Sequence, residues 1–380
     1  MSFVSLGLSE PLLKTIEEQN YREPYPIQRS AIPAILNGKD VLGIAKTGSG
    51  KTASFVLPIL EHLQSKPAPK NRSVSVLILV PTRELAVQID VVLKTFSAGL
   101  PRRVKSMAVY GGVSINPQMI GLQGVEVLVA TPGRLLDLLS KKAVTIADTQ
   151  LLVLDEADKM LNLGFEAEMK DIFFLLPRKR QNVLFSATLG EDIESINKVL
   201  LHNPVRIEIE EEEENLDMIT QIGYFVDPER KGPLLRYLIR EGDRGQVLVF
   251  VSAIRTADNL VVKLVKNGIE AAAIHSQKSQ GARMDVLSRF KSGKLKVLVA
   301  TDLVARGIDI PLLPCVINYE LPRSPKDYIH RIGRTGRAGA TGEAISLICP
   351  EDTHHFKIIQ KKMGRRVRMN DSYDLNLSGY

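Results

Sequence analysis

The sequence predicts an α/β protein with two parallel-sheet domains in tandem. At 380 residues the chain exceeds one ordinary domain and suits two of roughly 150–200 residues each. Short apolar runs alternate with longer helix-like stretches in both halves, and an unbroken run of five glutamates, Glu210–Glu214, separates the halves.

In the first half the apolar runs are Val41–Ala45, Val76–Val80, Val125–Ala130, Leu151–Leu154 and Asn182–Phe185. In the second they are Gln246–Val251, Ala271–Ile274, Lys296–Ala300, Cys315–Tyr319 and Ala344–Cys349. Each is apolar continuously rather than alternately, the mark of parallel strands covered on both faces. Segments between them, such as Arg83–Ser97 and Thr256–Asn267, have helical length and period. A strand–helix–strand order repeated in this way builds parallel sheets. His202-Asn203-Pro204 closes the first unit, and like charges at the density of Glu210–Glu214 repel and favour an exposed, extended connection. The expected division is a first domain at 1–204, a flexible acidic linker at 205–220 and a second domain at 221–380.

Composition narrows the class. Hydrophobic residues make up 44% and charged residues 24%, enough for real cores in an ordinary soluble chain. The two cysteines, Cys315 and Cys349, sit in strand-like apolar runs and read as buried thiols, which points to a reducing, cytoplasmic setting. No apolar stretch approaches the ~18–20 residues of a membrane helix, and Met1–Gln19 lacks the pattern of a signal peptide. Net charge is +7, held mostly in residues 221–380, where 26 Lys and Arg face 16 Asp and Glu. Such a half suits a polyanion, and equally a merely basic soluble protein.

Ligands of open parallel sheets bind beyond the carboxyl ends of the strands, and the polar, Gly-rich segments fall there repeatedly. Ala45 to Thr52 follows a strand and opens a helix. Its glycines, Gly48 and Gly50, let backbone N–H groups of Lys46, Thr47 and Ser49 face phosphates at a helix N-terminus. Lys51 would reach the β- and γ-phosphates, and Thr52 would place its hydroxyl on Mg²⁺. Ala45 stands where the phosphate-loop pattern asks for Gly. After Leu154 come Asp155, Glu156 and Asp158, three carboxylates that repel unless a cation is near. Asp155 suits Mg²⁺, which takes one or two carboxylates plus phosphates and waters, and Glu156 is placed to deprotonate an attacking water. In the second half, Tyr328 to Arg337 spaces arginines by three residues, as on one side of a helical turn. A planar guanidinium there suits the charge that develops on a transferring phosphoryl group, and its place on a separate domain ties hydrolysis to domain closure.

With these segments stand Tyr25-Pro26-Ile27-Gln28, Pro81 to Ala86, Gly111-Gly112, Thr131-Pro132-Gly133-Arg134, Ser186-Ala187-Thr188, Ala300-Thr301-Asp302 and Ala305 to Asp309. In this set and order, from Phe3 to about Pro350, the chain resembles the DEAD-box RNA helicases. The resemblance implies two RecA-like domains, ATP and Mg²⁺ as cofactors, and single-stranded or short duplex RNA bound without sequence preference. It implies that Gln28 reads adenine with Tyr21 stacked on the ring, and that Gly307 and Asp309 approach the nucleotide from the second domain. Arg334 and Arg337 become arginine fingers. Thr82, Arg83, Gly112, Thr131 and Arg134 line the RNA path on the first domain, and Arg283 and Thr301 on the second. Asp158, Ser186, Thr188 and His330 couple hydrolysis to strand separation. Tyr25 replaces a usual Thr, Asn20 and Ser276 replace usual Gly residues, and Ser252 stands near a usual Thr. The Lys278–Arg283 part is similar to the bacterial RhlE-type branch. Local unwinding, an ATP-gated RNA clamp and, less in keeping with Gln28 and Asp155–Asp158, a DNA helicase are the alternatives. A monomer is expected, with protein partners unspecified.

Overall fold

The continuous apolar runs form the inner strands of two separate sheets. The computed structural model describes residues 2–45, 48–66, 72–209, 216–242, 244–302, 313–336 and 341–380. The chain divides into two units, Met1–Glu211 and Glu212–Tyr380.

In the first unit the strands are β1 (Val41–Ile44), β2 (Val76–Leu79), β3 (Ser106–Val109), β4 (Val127–Ala130), β5 (Leu151–Leu154), β6 (Gln181–Ser186) and β7 (Val205–Glu208). They pair in the order β3-β4-β2-β5-β6-β1-β7, every pair parallel. The helices are α1 (Glu10–Glu18), α2 (Pro26–Leu36), α3 (Lys51–Gln64), α4 (Arg83–Ser97), α5 (Ile115–Gly121), α6 (Pro132–Ser140), α7 (Ala157–Asn162), α8 (Glu166–Leu175) and α9 (Glu191–Leu200). Successive side chains of a strand point to opposite faces. Val76 and Ile78 of β2 therefore join one buried cluster with α2, α3 and α4, while Leu77 and Leu79 join another with α6 and α8. Two covered faces explain why the strands are apolar without alternation.

The second unit repeats the plan. Its strands are β8 (Ile219–Phe225), β9 (Val247–Val251), β10 (Ala271–Ile274), β11 (Val297–Thr301), β12 (Cys315–Asn318), β13 (Gly342–Ile348) and β14 (Arg368–Asp371). They pair in the order β10-β11-β9-β12-β13-β8-β14, again all parallel. Its described helices are α10 (Lys231–Glu241), α11 (Ile254–Lys266), α12 (Gln280–Lys291), α13 (Pro325–Ile332) and α14 (Thr353–Met363). Counted from the first strand of each unit, both sheets read third, fourth, second, fifth, sixth, first, seventh. Cys315 and Cys349 are buried free thiols, and burial pushes Cys315 up to about 12.

The sequence expectation missed β3, β7, β8 and β14. Three of these are sheet edges, where one side of the strand needs no partner and polar residues are tolerated. The acidic linker expected at 205–220 is corrected at both ends. Val205–Glu208 is the edge strand β7 on β1, and β8 begins at Ile219 after a 3-10 turn at Leu216–Met218. Only Ile207 of β7 is buried, so no apolar run announced it. Glu210–Glu214 lie outside the described residues.

Gly43 of β1 faces the Phe185 ring of β6, and a Cβ there would overlap the ring. Gly43→Ala is therefore expected to cost about 1–3 kcal/mol by overpacking, read as a lower urea midpoint with an unchanged slope.

Candidate nucleotide and RNA site

Because every strand of a unit runs the same way, the segments after them emerge on one rim, ordered by the sheet rather than by the chain. In the first unit this sorts the expected site residues into two groups. The phosphate loop, Asp155–Asp158 and Ser186–Thr188 follow β1, β5 and β6, which are neighbours; Thr82, Gly112 and Thr131 follow β2, β3 and β4, also neighbours.

In the first group, Gly48 and Gly50 both have φ of 87°. This left-handed conformation favours glycine. Ala45, the departure from the loop pattern, has no positive φ; its N–H continues the ladder to Ser186 O at 3.0 Å. Lys51 opens α3, is only 5% exposed, and donates from Nζ to Ala45 O at 2.6 Å. Gln28, fully buried on α2, donates from Nε2 to Gly50 O at 3.0 Å and accepts from Tyr25 N at 2.9 Å. A Cβ on Gly50 would lie 2.5 Å from Gln28 Nε2 and 2.9 Å from the Tyr25 ring, so the loop and α2 fit only around glycine. Tyr21 packs edge-on against Phe96, with ring centroids 5.4 Å apart. Asn20, where Gly is usual, has φ of 60°, a conformation asparagine tolerates better than most residues. Ser276 shows no positive φ, so glycine is dispensable there. Thr52 is half-buried on the first turn of α3.

Asp155 and Glu156 are both buried at the end of β5. Burial pushes the Asp155 carboxyl up to about 6, with the Lys51 charge opposing and the Glu156 charge reinforcing the rise. Its Oδ1 accepts from Glu156 N at 2.9 Å. Glu156 sits at φ 54°, unusual for a side chain of this kind and typical of strain held at functional sites. Its Oε1 accepts from Lys159 Nζ at 2.8 Å, while Oε2 is buried without a hydrogen-bond partner among the described residues. Lys159 was missed in the sequence, although it stands three residues after Glu156 on the same helical side. Asp158 accepts from Thr188 Oγ1 at 3.4 Å and Ala187 N at 3.5 Å, and Ser186 Oγ donates to Thr188 O at 2.7 Å. Three of the four residues expected to couple are thus joined within this unit.

In the second group, Thr82 caps α4 by accepting from Leu85 N at 3.3 Å. The Arg83 guanidinium covers Gly112, whose φ of 76° and missing Cβ leave it room. Thr131 is the N-cap residue of α6 and is 8% exposed. Arg134, also 8% exposed, donates from Nη2 to Val113 O at 2.9 Å; its Nη1 is buried without a partner among the described residues. Two arginines from different helices therefore hold the loop that follows β3.

The second unit sorts alike. Arg283 follows β10 and Thr301 ends β11, both 8% exposed, while His330 and Arg334 follow β12 and are half-buried. The arginine spacing needs a correction. α13 ends at Ile332, and Arg334 lies beyond its Gly333 cap, so Arg331 and Arg334 do not share a helical face. Arg331 turns inward at 2% exposure. Its Nε and Nη2 grip Asp302 at 2.6 and 2.8 Å, its Nη1 donates to Asn318 Oδ1 at 3.1 Å and Glu320 O at 2.6 Å, and its guanidinium lies 4.9 Å from the Phe250 ring centroid. One side chain thereby ties the ends of β11, β9 and β12 to α13. Lys46, Thr47, Gly307, Asp309 and Arg337 lie outside the described residues.

Residues 25–196 match the DEAD/DEAH box helicase family, and residues 230–339 match the helicase conserved C-terminal domain. The chain is 36% identical over 380 residues to the ATP-dependent rRNA helicase rrp3 of Schizosaccharomyces pombe, covering 100% of this chain and 80% of that protein. It is 43% identical over 352 residues to DEAD-box ATP-dependent RNA helicase 24 of Arabidopsis thaliana, covering 91% of this chain and 46% of that protein. Among solved structures, S. cerevisiae Dbp5 bound to RNA and ADP BeF3 matches with a TM-score of 0.83 at 32% identity, over 98% of this chain and 97% of that one.

The chain is a DEAD-box RNA helicase. Its two sheets are RecA-like, and its activity is RNA-stimulated ATP hydrolysis coupled to helicase action. These relatives are eukaryotic, and they give no support to the bacterial RhlE-type branch that Lys278–Arg283 resemble. No described helix of the helicase is long and apolar enough to cross a membrane.

The donor set fits Mg²⁺ carried by a nucleotide. Among the described residues no group of three or more His, Cys, Asp or Glu could hold a metal, whereas Mg²⁺ needs only one or two protein oxygens beside phosphates. Asp155, buried with a raised pKa, and the adjoining Oε2 of Glu156 are hard oxygens short of compensation.

Since the Asp155 pKa rises from 3.8 to about 6 on folding, its contribution favours the fold below about pH 4 and is lost as pH rises through 6. In the nucleotide-free helicase at pH 7, Asp155→Asn should add about 1–3 kcal/mol of stability, a gain that shrinks as pH falls from 6 in thermal melts. Arg331→Lys should cost about 1–3 kcal/mol, since a lysine loses the two-pronged grip on the half-buried Asp302 and the bonds to Asn318 Oδ1 and Glu320 O. Arg334→Lys should move the same unfolding midpoint by less than about 1 kcal/mol.

Proposed function

We propose that the helicase binds ATP and single-stranded RNA cooperatively, one to each group of rim residues, with both ligands favouring a closed arrangement of the two units. The observation behind this is the sorting of the first unit's rim into two groups of neighbouring strand ends. Gln28 selects adenine, with Tyr21 against the ring. Lys51 and the loop from Lys46 to Thr52 hold the phosphates. Asp155 and Thr52 would hold Mg²⁺, which supplies neutralisation of charge on the β- and γ-phosphates. Glu156 takes the proton of the attacking water through Oε2, the oxygen that Lys159 leaves unengaged. Arg334 and Arg337 stabilise the leaving charge, and Gly307 and Asp309 face the nucleotide from the second unit.

Thr82, Arg83, Gly112, Thr131, Arg134, Arg283 and Thr301 take the sugar–phosphate backbone, which confers little sequence preference. Arg83 and Arg134 act partly by fixing the loop after β3, because that is what they touch. Asp158, Ser186, Thr188 and His330 relay closure to hydrolysis. Closure bends the RNA strand out of duplex geometry, and hydrolysis releases it. Local unwinding by a monomer is the cycle these residues support best. An RNA clamp would use the same closed state and differ in dwell time. Yeast Dbp5 is also known in a complex with Nup159 and Gle1, so protein partners are in keeping with the family. The reducing interior of the cell, the cytoplasm included, suits the two free thiols.

Steady-state ATP hydrolysis without nucleic acid, with single-stranded RNA and with single-stranded DNA of equal length tests the proposal. Strong stimulation by RNA alone is expected; equal stimulation by DNA would overturn the RNA assignment, and residence on RNA with ATP for much longer than seconds would favour the clamp. Glu156→Gln should retain ATP binding and lose turnover by about 10²-fold or more, and near-parental hydrolysis would remove Glu156 from the base role. Lys51→Ala should lose nucleotide binding in a fluorescent ADP titration.

A further inference from the structure

We propose that the helicase carries a second RNA-contact surface: a ridge of cations on α14 and the start of β14 that holds the phosphate backbone of RNA flanking the segment bound at the rim. The ridge consists of Lys357, Lys361, Lys362, Arg365, Arg366 and Arg368, every one of them exposed. Arg365 pairs with Asp217 at 2.6 Å. The other five meet no carboxylate within ion-pair distance among the described residues. Helix α14 turns Phe356 and Ile359 into the core and contains no acidic residue, so the charges on its outer side, which also exposes His354 and Ile358, are all cationic. Lys357 and Lys361 stand four residues apart, where like charges repel on a helix. The exposed positions would accept neutral residues, so packing does not require this repulsion; a polyanion would relieve it.

Its place in the fold separates it from the catalytic rim. Helix α14 leaves the carboxyl end of β13 and returns to the start of β14, so Lys361 to Arg368 lie toward the opposite rim, at the sheet edge. From β11, which carries Thr301, that edge is five strand spacings away, roughly 24 Å. The drop along α14 adds a perpendicular offset of about 16 Å. The ridge thus stands some 25–30 Å from Thr301, on the order of eight nucleotide steps at 3.4 Å each. RNA is the occupant favoured by charge, because it is the polyanion this enzyme already binds. With Phe356 of α14 turned inward, the ridge offers mainly charge, which suits backbone contact blind to sequence.

The test compares the full chain with a variant carrying Lys361→Ala, Lys362→Ala, Arg366→Ala and Arg368→Ala. Binding of labelled single-stranded RNAs of about 10 and about 30 nucleotides is measured by anisotropy across a salt series, where each released phosphate contact lowers the log–log slope by about 0.7. The variant should bind the long RNA about tenfold more weakly at low salt, with a slope shallower by up to about 3. Its affinity for the short RNA and its short-RNA-stimulated hydrolysis should match the parent. Lys361→Arg with Lys362→Arg, which keeps the charge, should bind the long RNA as the parent does. Unchanged long-RNA affinity and slope would overturn the proposal and leave the ridge to an acidic protein or to solvent. Equal weakening on both RNAs, or loss in the arginine variant, would overturn it as well. Loss of RNA binding at the rim would show separately, as a parent unresponsive to the short RNA.

Discussion

Parallel pairing is the constraint on which the rest of this structure depends. A strand that runs the same way as its neighbour must be reached by a crossover, and helices that supply the crossovers bury both faces of the sheet. Chemistry is thereby excluded from the faces and displaced to the rim where the strands end. Along the chain of the first unit, the residues proposed for RNA, Thr82 to Arg134, stand between the two sets proposed for the nucleotide, the phosphate loop and Asp155 to Thr188. The pairing β3-β4-β2-β5-β6-β1 sorts them, so residues separated by a hundred positions in the chain become neighbours.

At the nucleotide end of the rim the structure accepts unfavourable terms. Two carboxylates are buried side by side, one of them with its proton affinity raised, and the backbone of Glu156 is held in the left-handed region. Lys51 and Lys159 offset part of this, one against each acid, but one oxygen of Glu156 stays without a partner among the described residues. A site balanced in this way would gain from the cation and phosphate proposed to bind there, which would link ligand binding to fold stability. In the second unit Arg331 plays the opposite part. It is a charge satisfied on every side, and it fixes the segment that carries His330 and Arg334.

Much of this was legible in the sequence, for physical reasons that can be named. Leu151–Leu154 is a strand at the bounds its apolar run suggests, because burial on two faces leaves no room for polar residues. Arg83–Ser97 is a helix from the first residue to the last of its periodic stretch. What escaped was whatever one-sided exposure permits: β7, with a single buried residue, and β14, with Arg368 and Asp371 exposed at its ends. The loops around phosphate could be read because glycine at positive φ has few substitutes. Asn20 shows the limit of that rule, since a residue that tolerates the same conformation replaced the expected glycine. The inward turn of Arg331 was hidden because spacing along a chain does not reveal where a helix stops.

The edge strands have a consequence for how the protein behaves at high concentration. An exposed strand edge is a template on which another chain can pair. Each sheet here closes one of its two margins with its last strand, four residues long and carrying both signs of charge: Arg206 and Glu208 on β7, Arg368 and Asp371 on β14. A neighbouring molecule that paired there would have to desolvate those charges for only a few hydrogen bonds. The β7 and β14 margins are thereby poor seeds for assembly, and the protein can be crowded onto RNA without adhering to its own copies through those two edges.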